Sequence, residues 1–264
     1  MSSELAAGFV PDTATLTVLP YDNGVAMVEF SGGKKSNPFS GERTQELTRV
    51  LAQLDARDDI RAVILYGGDD RWFAAGGDFA KLQALDGGDA VSDLMETFGR
   101  LFLTALGMRT PVIAAMDGWA IGLGLEIALT ADYRIASTAA RMKMPELQLG
   151  AAVTFGGYML TEVVGRSAMQ ALVFSGDVWD AHRALAAGLV HEVVPTERLR
   201  DQTEQTAARL ASWDPVPVRQ TKPSLNAAYH TGMLDIIEVS KRAHRASAST
   251  GTWQRNMQAF LRRQ

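Results

Sequence analysis

The chain has 264 residues, of which 47% are hydrophobic, so it can bury a full core as one domain or one domain with a small appendage. It contains no cysteine, which excludes disulfides, thiolate nucleophiles and cysteine-ligated metal centres. The formal net charge of -4 argues against nucleic acid as the main partner, because phosphate binding requires a clustered cationic surface.

Neither a membrane span nor an export signal is predicted. No stretch approaches the roughly 20 apolar residues that a membrane span needs. Residues 1–16 (MSSELAAGFVPDTATL) have neither the basic region nor the apolar region of a signal peptide. We therefore expect a cytoplasmic protein with no membrane partner.

The first half of the chain alternates strands and helices. Residues 14–32 predict two strands around the turn Asp22-Asn23-Gly24. Ser40 is a helix start signal, and helically spaced apolar residues after it predict an amphipathic helix. Residues 60–68 (IRAVILYGG) form a short continuous apolar run, which is typical of a strand covered on both faces.

The second half continues this alternation and then changes. Residues 110–118 (TPVIAAMDG) predict a buried strand, and a glycine turn at 122–124, an apolar helix and the strand 132–137 (DYRIAS) follow. This order predicts an α/β sheet with right-handed crossovers. From about Trp179 the pattern is helical apart from residues 188–194 (GLVHEVV), so we expect a helical C-terminal part that begins near Pro195.

Two segments share one form, residues 62–79 and 111–129: a buried strand ends, glycines and alanines follow, and a helix starts. In α/β sheets ligands bind beyond the carboxyl ends of strands, where helix N-termini present free N–H groups. Two such ends could hold one oxygen between two backbone donors, as an oxyanion hole does. The alternative is that both segments are tight turns in which glycine allows close packing.

Two glutamates are candidate acid and base groups. Glu126 lies on the first turn of an otherwise apolar helix, and Glu146 follows a proline in what we expect to be a loop. Two such carboxyls could share acid and base work on a water molecule. The alternatives are a helix-dipole acid for Glu126 and a solvated loop residue for Glu146. His244 stands among basic residues and fits a solvated basic face, and no His, Asp or Glu spacing resembles a metal site.

Four motifs resemble the crotonase (enoyl-CoA hydratase/isomerase) superfamily, from the second strand to the C-terminal helices. They are residues 73–79 (FAAGGDF), 117–137 (DGWAIGLGLEIALTADYRIAS), 144–150 (MPELQLG) and 165–195. The resemblance implies an α/β fold with a repeated ββα spiral core over residues 1–195. It also implies a helical trimerisation part over residues 196–264, and hence a homotrimer or a dimer of trimers.

The same resemblance implies roles for individual residues. The substrate would be an acyl-CoA or acyl-carrier-protein thioester whose oxygen lies between the amides of Gly77 and Leu123, although glycine is usual at the second position. Glu126 and Glu146 match the two glutamates that hydratases use to activate water. Coenzyme A enters only as part of the substrate, and no other cofactor and no metal is expected. The implied substrate-binding residues are Ala74, Ala75, Gly76, Asp78, Gly122 and His244.

Four further stretches are residues 37–40 (NPFS), 63–79 (VILYGGDDRWFAAGGDF), 135–147 (IASTAARMKMPEL) and 241–247 (KRAHRAS). They resemble carboxymethylproline synthases, crotonases that decarboxylate malonyl-CoA and add the enolate to an imine or aldehyde. These enzymes also carry a large apolar residue at the position of Leu123 and a histidine that matches His244. They have glutamine where this chain has Glu126, and this departure favours a hydratase. Decarboxylation or carbon–carbon bond formation is the second reading, and a catalytically silent scaffold that binds coenzyme A or a partner is the third.

Overall fold

The computed structural model describes residues 15–30, 34–83, 85 and 87–261. Most of the segment on which the expectation of no export signal rests lies outside these residues. The strands are β1 Leu16–Pro20, β2 Val25–Phe30, β3 Ala62–Tyr66, β4 Trp72–Ala74, β5 Val112–Met116, β6 Trp119–Ile121, β7 Tyr133–Ser137, β8 Arg141–Lys143, β9 Trp179–Asp180 and β10 Glu192–Val194. The helices are α1 Gly41–Asp55, α2 Phe79–Gln83, α3 Gly87–Gly107, α4 Leu123–Leu129, α5 Glu146–Leu149, α6 Phe155–Ser175, α7 Ala181–Ala186, α8 Leu199–Ala211, α9 Pro215–Ser249 and α10 Thr252–Leu261, with a 3-10 turn at Thr196–Arg198.

The strands form two sheets that the chain visits in turn. The larger sheet has the order β1-β2-β3-β5-β7-β10, and the smaller has the order β4-β6-β8-β9. Three successive units, β3-β4-α2, β5-β6-α4 and β7-β8-α5, each place their first strand in the larger sheet and their second in the smaller. Neighbouring units pair in parallel in both sheets. This arrangement confirms the predicted α/β class and the ββα spiral.

The structure confirms the turn and the amphipathic helix predicted in the first half of the chain. The strands β1 and β2 pair antiparallel around the predicted turn, where Gly24 has a φ of 79°. Ser40 caps α1, since its hydroxyl accepts a hydrogen bond from the Arg43 N–H at 3.2 Å. The apolar residues of α1 that face the core are those with the predicted helical spacing: Leu47, Val50, Leu51 and Leu54.

The larger sheet is covered on both faces. One face packs against the main core, to which α1, α3, α6 and α9 contribute, and the other packs against α8. Every residue of β3 and β5 is buried, as their continuous apolar runs predict. The carboxyl ends of β4 and β6 lead directly into the glycine-rich segments, so the two segments emerge side by side.

Beyond Val194 the described chain is helical apart from short turns, as expected, while the division into parts at residue 195 stays a prediction. Four apolar residues lie close together in α9: Met233, Leu234, Ile236 and Ile237. This grouping predicts apolar surface that one subunit cannot bury, and the prediction is wrong for two of the four. Met233 and Ile237 are buried in this chain's core, because α9 is long and turns this face toward α3. Ile237 fills the space beside Gly99, whereas Leu234 remains half exposed. No helix within the described ranges is both long enough and apolar enough to cross a membrane.

Candidate active site

A cavity of about 90 Å³ lies where the glycine-rich segments meet α4, α5 and the C-terminal helices. The structure brings most of the predicted site residues to its wall. Those that line it are Ala75, Gly76, Gly77, Gly122, Leu123, Glu126, Glu146 and His244.

The backbone of Gly77 is held by a neighbouring segment that leaves its N–H free. Phe39 forms an isolated parallel bridge to Gly77, in which the Phe39 N–H donates to the Gly76 carbonyl at 2.8 Å. The Asp78 N–H donates to the Phe39 carbonyl at 2.9 Å. In such a bridge the N–H of the middle residue points away from its partner. Among the described residues no acceptor binds the Gly77 N–H, so it is available to a ligand.

Leu123 supplies the second free amide. It is the first residue of α4, where N–H groups have no partner within the helix. Gly122, with a φ of 51°, turns the chain into the helix, and its own N–H donates to the Lys143 carbonyl at 2.9 Å. No acceptor for the Leu123 N–H exists in the described part of the chain. Two unpaired amides therefore belong to residues that line the same cavity.

Glu126 is a buried acid. Every residue of α4 is buried, and Glu126 itself is only 8% exposed, so it does not lie on a solvated helix face. Burial raises the pKa of the Glu126 carboxyl, and the neighbouring charge of Glu146 raises this pKa further. A hydrogen bond from the Gly156 N–H acts in the opposite direction. The carboxyl thus retains its proton well above the ordinary range for glutamate.

We expected Glu146 to lie in a loop, but it is the first residue of α5. Pro145 precedes this single helical turn and Gly150, with a φ of 81°, ends it. The Oε1 atom lies so close to Gly122 that a Cβ there would collide with it. The Oε2 atom is buried and has no hydrogen-bond partner among the described residues. Burial raises the pKa of this carboxyl as well.

The two carboxyls form one titrating unit. Because both are buried at the same cavity and each has a raised pKa, they lose their protons as a coupled pair. Because ionisation of one carboxyl opposes ionisation of the other, one can act as an acid while the other acts as a base. The site can therefore accept a proton from one ligand atom and donate one to another.

The interpretation of His244 as part of a solvated basic face is wrong. Its side chain is only 9% exposed and lines the cavity, on the face of α9 that also buries Met233, Ile237 and Ser240. These residues are spaced by four, three and four positions, a pattern that could have identified His244 as an inward residue. Its Nδ1 lies 2.9 Å from the Ser240 carbonyl. Burial lowers the pKa of His244, which favours the neutral ring, whereas hydrogen bonds to the backbone of Ser240 and Ala152 act to raise this pKa.

Two of the expected substrate-binding residues do not line the cavity. Ala74 is fully buried and packs so tightly against Gly124 that a side chain on the glycine would collide with it. Asp78 accepts a hydrogen bond from the Ala80 N–H at 3.1 Å at the start of α2, and lies 4.0 Å from Lys34. Contact of these two residues with coenzyme A stays a prediction.

The apolar wall of the cavity could not be predicted from the sequence. Its residues come from helices whose apolar positions look like ordinary core: Leu82, Met95, Phe98, Leu149, Phe155 and Trp253. Thr154 also lines the cavity, and its hydroxyl lies 2.6 Å from that of Ser240. No motif distinguishes these residues from core. Within the described ranges no group of His, Asp or Glu could hold a metal ion.

Comparison with known proteins places the chain in a family. Residues 21–264 match the family model described as enoyl-CoA hydratase/isomerase. The chain is 32% identical to a carboxymethylproline synthase of Pectobacterium carotovorum, over 84% of this chain and 89% of the relative. It is 31% identical to a short-chain-enoyl-CoA hydratase of Clostridium acetobutylicum, over 92% of this chain and 94% of the relative.

A solved structure of ThnE from S. clavuligerus is 36% identical in sequence to this chain. The match covers 86% of this chain and 100% of that structure, with a TM-score of 0.74. The protein described here therefore belongs to the enoyl-CoA hydratase/isomerase family and has the crotonase fold of that family.

Proposed function

We propose that this protein adds water to, or eliminates it from, the α,β double bond of an acyl-CoA or acyl-carrier-protein thioester. The observation that carries the proposal is the pair of buried glutamates, Glu126 and Glu146, at a cavity that also has two unpaired backbone amides. A buried acid on an otherwise apolar helix costs stability, and its use in catalysis accounts for its presence.

The chemistry follows from these groups. The ionised carboxylate takes a proton from water as the water oxygen bonds to the β-carbon of the enoyl thioester. The electron pair of the double bond moves toward the thioester, and the resulting enolate oxygen accepts hydrogen bonds from the N–H groups of Gly77 and Leu123. The protonated carboxyl then gives its proton to the α-carbon, and the pair returns to its starting charge.

Decarboxylative chemistry on malonyl-CoA is a second candidate. It is supported by the similarity to a carboxymethylproline synthase and by the presence of His244 at the cavity. Loss of carbon dioxide leaves its electron pair in a thioester enolate, so this reaction needs the two amides but no general base. His244 would then help to place a second substrate.

Two thioesters distinguish these functions. Purified protein is incubated separately with crotonyl-CoA, followed by loss of the conjugated double bond, and with malonyl-CoA, followed by release of carbon dioxide. Turnover of crotonyl-CoA alone supports the hydratase, and turnover of malonyl-CoA alone supports the decarboxylase. Binding of both without turnover supports a silent scaffold. The same acyl groups on an acyl carrier protein identify the natural carrier.

A homotrimer or a dimer of trimers is the assembly that we propose for this chain. Its support is the family membership together with apolar side chains that remain exposed in the C-terminal part: Trp213 between α8 and α9, and Val216 and Leu225 on α9. The cytoplasmic location stays a prediction.

A further inference from the structure

A short segment ahead of α1 runs along the loop that carries Gly77. The Ala75 N–H donates to the Ser36 carbonyl at 2.8 Å, and Phe39 exchanges hydrogen bonds with Gly76 and Asp78 on either side of Gly77. Residues 36–39 therefore act as an added strand beside this loop. These hydrogen bonds hold the residues on either side of Gly77. The position of the segment therefore sets the direction of the Gly77 N–H.

The side chain of Asn37 fixes that segment to the sheet. Asn37 is only 4% exposed, and its Nδ2 donates to the carbonyls of Gly67 at 2.5 Å and Trp72 at 3.0 Å. The Phe73 carbonyl lies a little farther away, at 3.3 Å. These carbonyls lie just after β3 and within β4, the strands that lead into the Gly77 loop. A single amide group thus ties the segment to the strands on which the loop is built.

Asn37 also has an unusual backbone. Its φ is 49°, in the left-handed region, and among the described residues Arg71 is the other non-glycine residue with a positive φ. Asparagine adopts this region more readily than most residues, but at a cost relative to glycine. Its side-chain oxygen lies 3.4 Å from the Arg43 guanidinium, which also donates to the Pro38 carbonyl at 3.1 Å. The segment is thus held from two directions.

We propose that Asn37 is a positioning residue for thioester chemistry at this cavity. Asn37 does not line the cavity, and it acts by holding residues 36–39 so that the Gly77 N–H points at the thioester oxygen. This inference rests on the proposed function, since it assigns the Gly77 amide to the enolate oxygen. Donors of this kind work only when they are held in place before charge develops.

Two substitutions distinguish the role of the Asn37 side-chain hydrogen bonds from that of its backbone conformation. Asn37→Gly keeps the left-handed conformation and removes the hydrogen bonds, whereas Asn37→Asp keeps the shape and turns an acceptor toward carbonyl oxygens. For both variants we expect kcat on crotonyl-CoA to fall on the order of 10- to 100-fold, since a small misplacement of a catalytic group has effects of this size. KM should change much less, because the remaining contacts of the thioester are untouched.

A matched control tests whether lost stability explains the effect. Lys222 is also buried, and its Nζ donates to the Thr110 carbonyl at 2.9 Å and lies 2.7 Å from Asp132. These groups lie just before β5 and β7, and neither they nor Lys222 line the cavity. Lys222→Met should lower the free energy of unfolding and leave kcat unchanged. The proposal would be overturned if kcat fell in Lys222→Met as well as in the Asn37 variants, in proportion to the loss in free energy of unfolding.

Binding of two probes keeps the test independent of turnover. Acetoacetyl-CoA ionises to an enolate that mimics the developing charge, whereas acetyl-CoA presents a neutral thioester. The wild type should favour the first probe, and Asn37→Gly should reduce that preference about tenfold or more. A wild type that shows this preference but hydrates no enoyl thioester would contradict the proposed function alone. An Asn37→Gly variant with an unchanged preference, or a wild type that binds neither probe, would overturn the positioning role.

Discussion

Gly76 lies directly beside the first residue of α4, since a Cβ built on Gly76 would stand 3.6 Å from the amide nitrogen of Leu123. The same Cβ would stand 2.7 Å from the Ile121 carbonyl oxygen, closer than carbon and oxygen can approach without displacement. Gly76 also has a φ of 92°, which other residues rarely adopt. Glycine at this position therefore allows the two amide-bearing segments to lie side by side.

Replacing Gly76 by valine should separate those segments. The strained backbone alone costs about 1–3 kcal/mol, and the collision with Ile121 adds to it. We expect the Kd for acetyl-CoA to rise about tenfold or more, since tenfold corresponds to about 1.4 kcal/mol. Isothermal titration calorimetry measures this change.

Gly157→Ala is the matched control for the Gly76 variant. A Cβ on Gly157, in the first turn of α6, would meet nothing closer than 4.0 Å. Its binding of acetyl-CoA should equal that of the wild type. Unchanged binding by the Gly76→Val variant would show that the small residues serve packing alone.

The sequence predicted the elements with strong periodicity and missed those without it. The strands β3 and β5 are recognisable as continuous apolar runs, and Ser40 marks the start of α1. The strands β4, β6 and β8 have three residues each, too few for a period of two to be visible. They pair with one another and with the two-residue β9 in a sheet of their own, so each depends on partners from distant parts of the chain.

Some residues of the candidate site can be recognised in the sequence, and others cannot. Glu126 is visible in the sequence because an acid interrupts an apolar helix, and Gly77 is visible because small residues cluster after a strand. Asn37 carries no local sign of its contacts, since they reach residues 30 or more positions away. The Trp253 side chain likewise reaches the cavity only after α10 has folded back against α2 and α5.

Glu126→Gln and Glu146→Gln should each reduce hydration of crotonyl-CoA on the order of 100-fold or more, since a positioned acid or base contributes about that much. Affinity for acetyl-CoA should change little, because the backbone donors are untouched. Stopped-flow absorbance and equilibrium titration measure the two quantities. A Glu126→Gln variant with full hydration activity would contradict the hydratase assignment.

The raised pKa of Glu126 also predicts a pH dependence of stability. Between the ordinary glutamate pKa of about 4.3 and the raised value, the folded state binds more protons than the unfolded state, so stability falls as pH rises. Glu126→Gln removes this loss and can still accept the Gly156 N–H. Its Tm should exceed that of the wild type by more at pH 8 than at pH 5, with a shift of about 2–4 °C for each kcal/mol.

An exposed glutamate provides the comparison for this pH effect. Glu197 is exposed in the 3-10 turn, where substitutions change stability by about 0.5 kcal/mol or less. Glu197→Gln should therefore follow the wild-type Tm at both pH values, as measured by differential scanning calorimetry. A wild type that is the more stable protein at pH 8 would show that Glu126 is stabilised in its charged form.

The exposed apolar side chains of the C-terminal part predict an assembly. Trp213, Val216 and Leu225 are 50%, 67% and 77% exposed, although large apolar residues favour burial. We expect light scattering at micromolar concentration to give the mass of three or six chains. A monomer under these conditions would contradict the prediction.

One pair of variants separates the two enzymatic functions. Decarboxylation of malonyl-CoA needs no general base, so Glu126→Gln should leave it intact if the protein is a decarboxylase. His244→Ala should then reduce transfer of the enolate to an aldehyde acceptor, because the neutral ring lines the cavity where a second substrate would lie. His230→Ala is the control, since His230 is on the same helix but does not line the cavity. If the protein is a hydratase, the order of effects reverses. Glu126→Gln then reduces hydration on the order of 100-fold or more, and His244→Ala reduces it about tenfold or less, because no proton transfer passes through the ring.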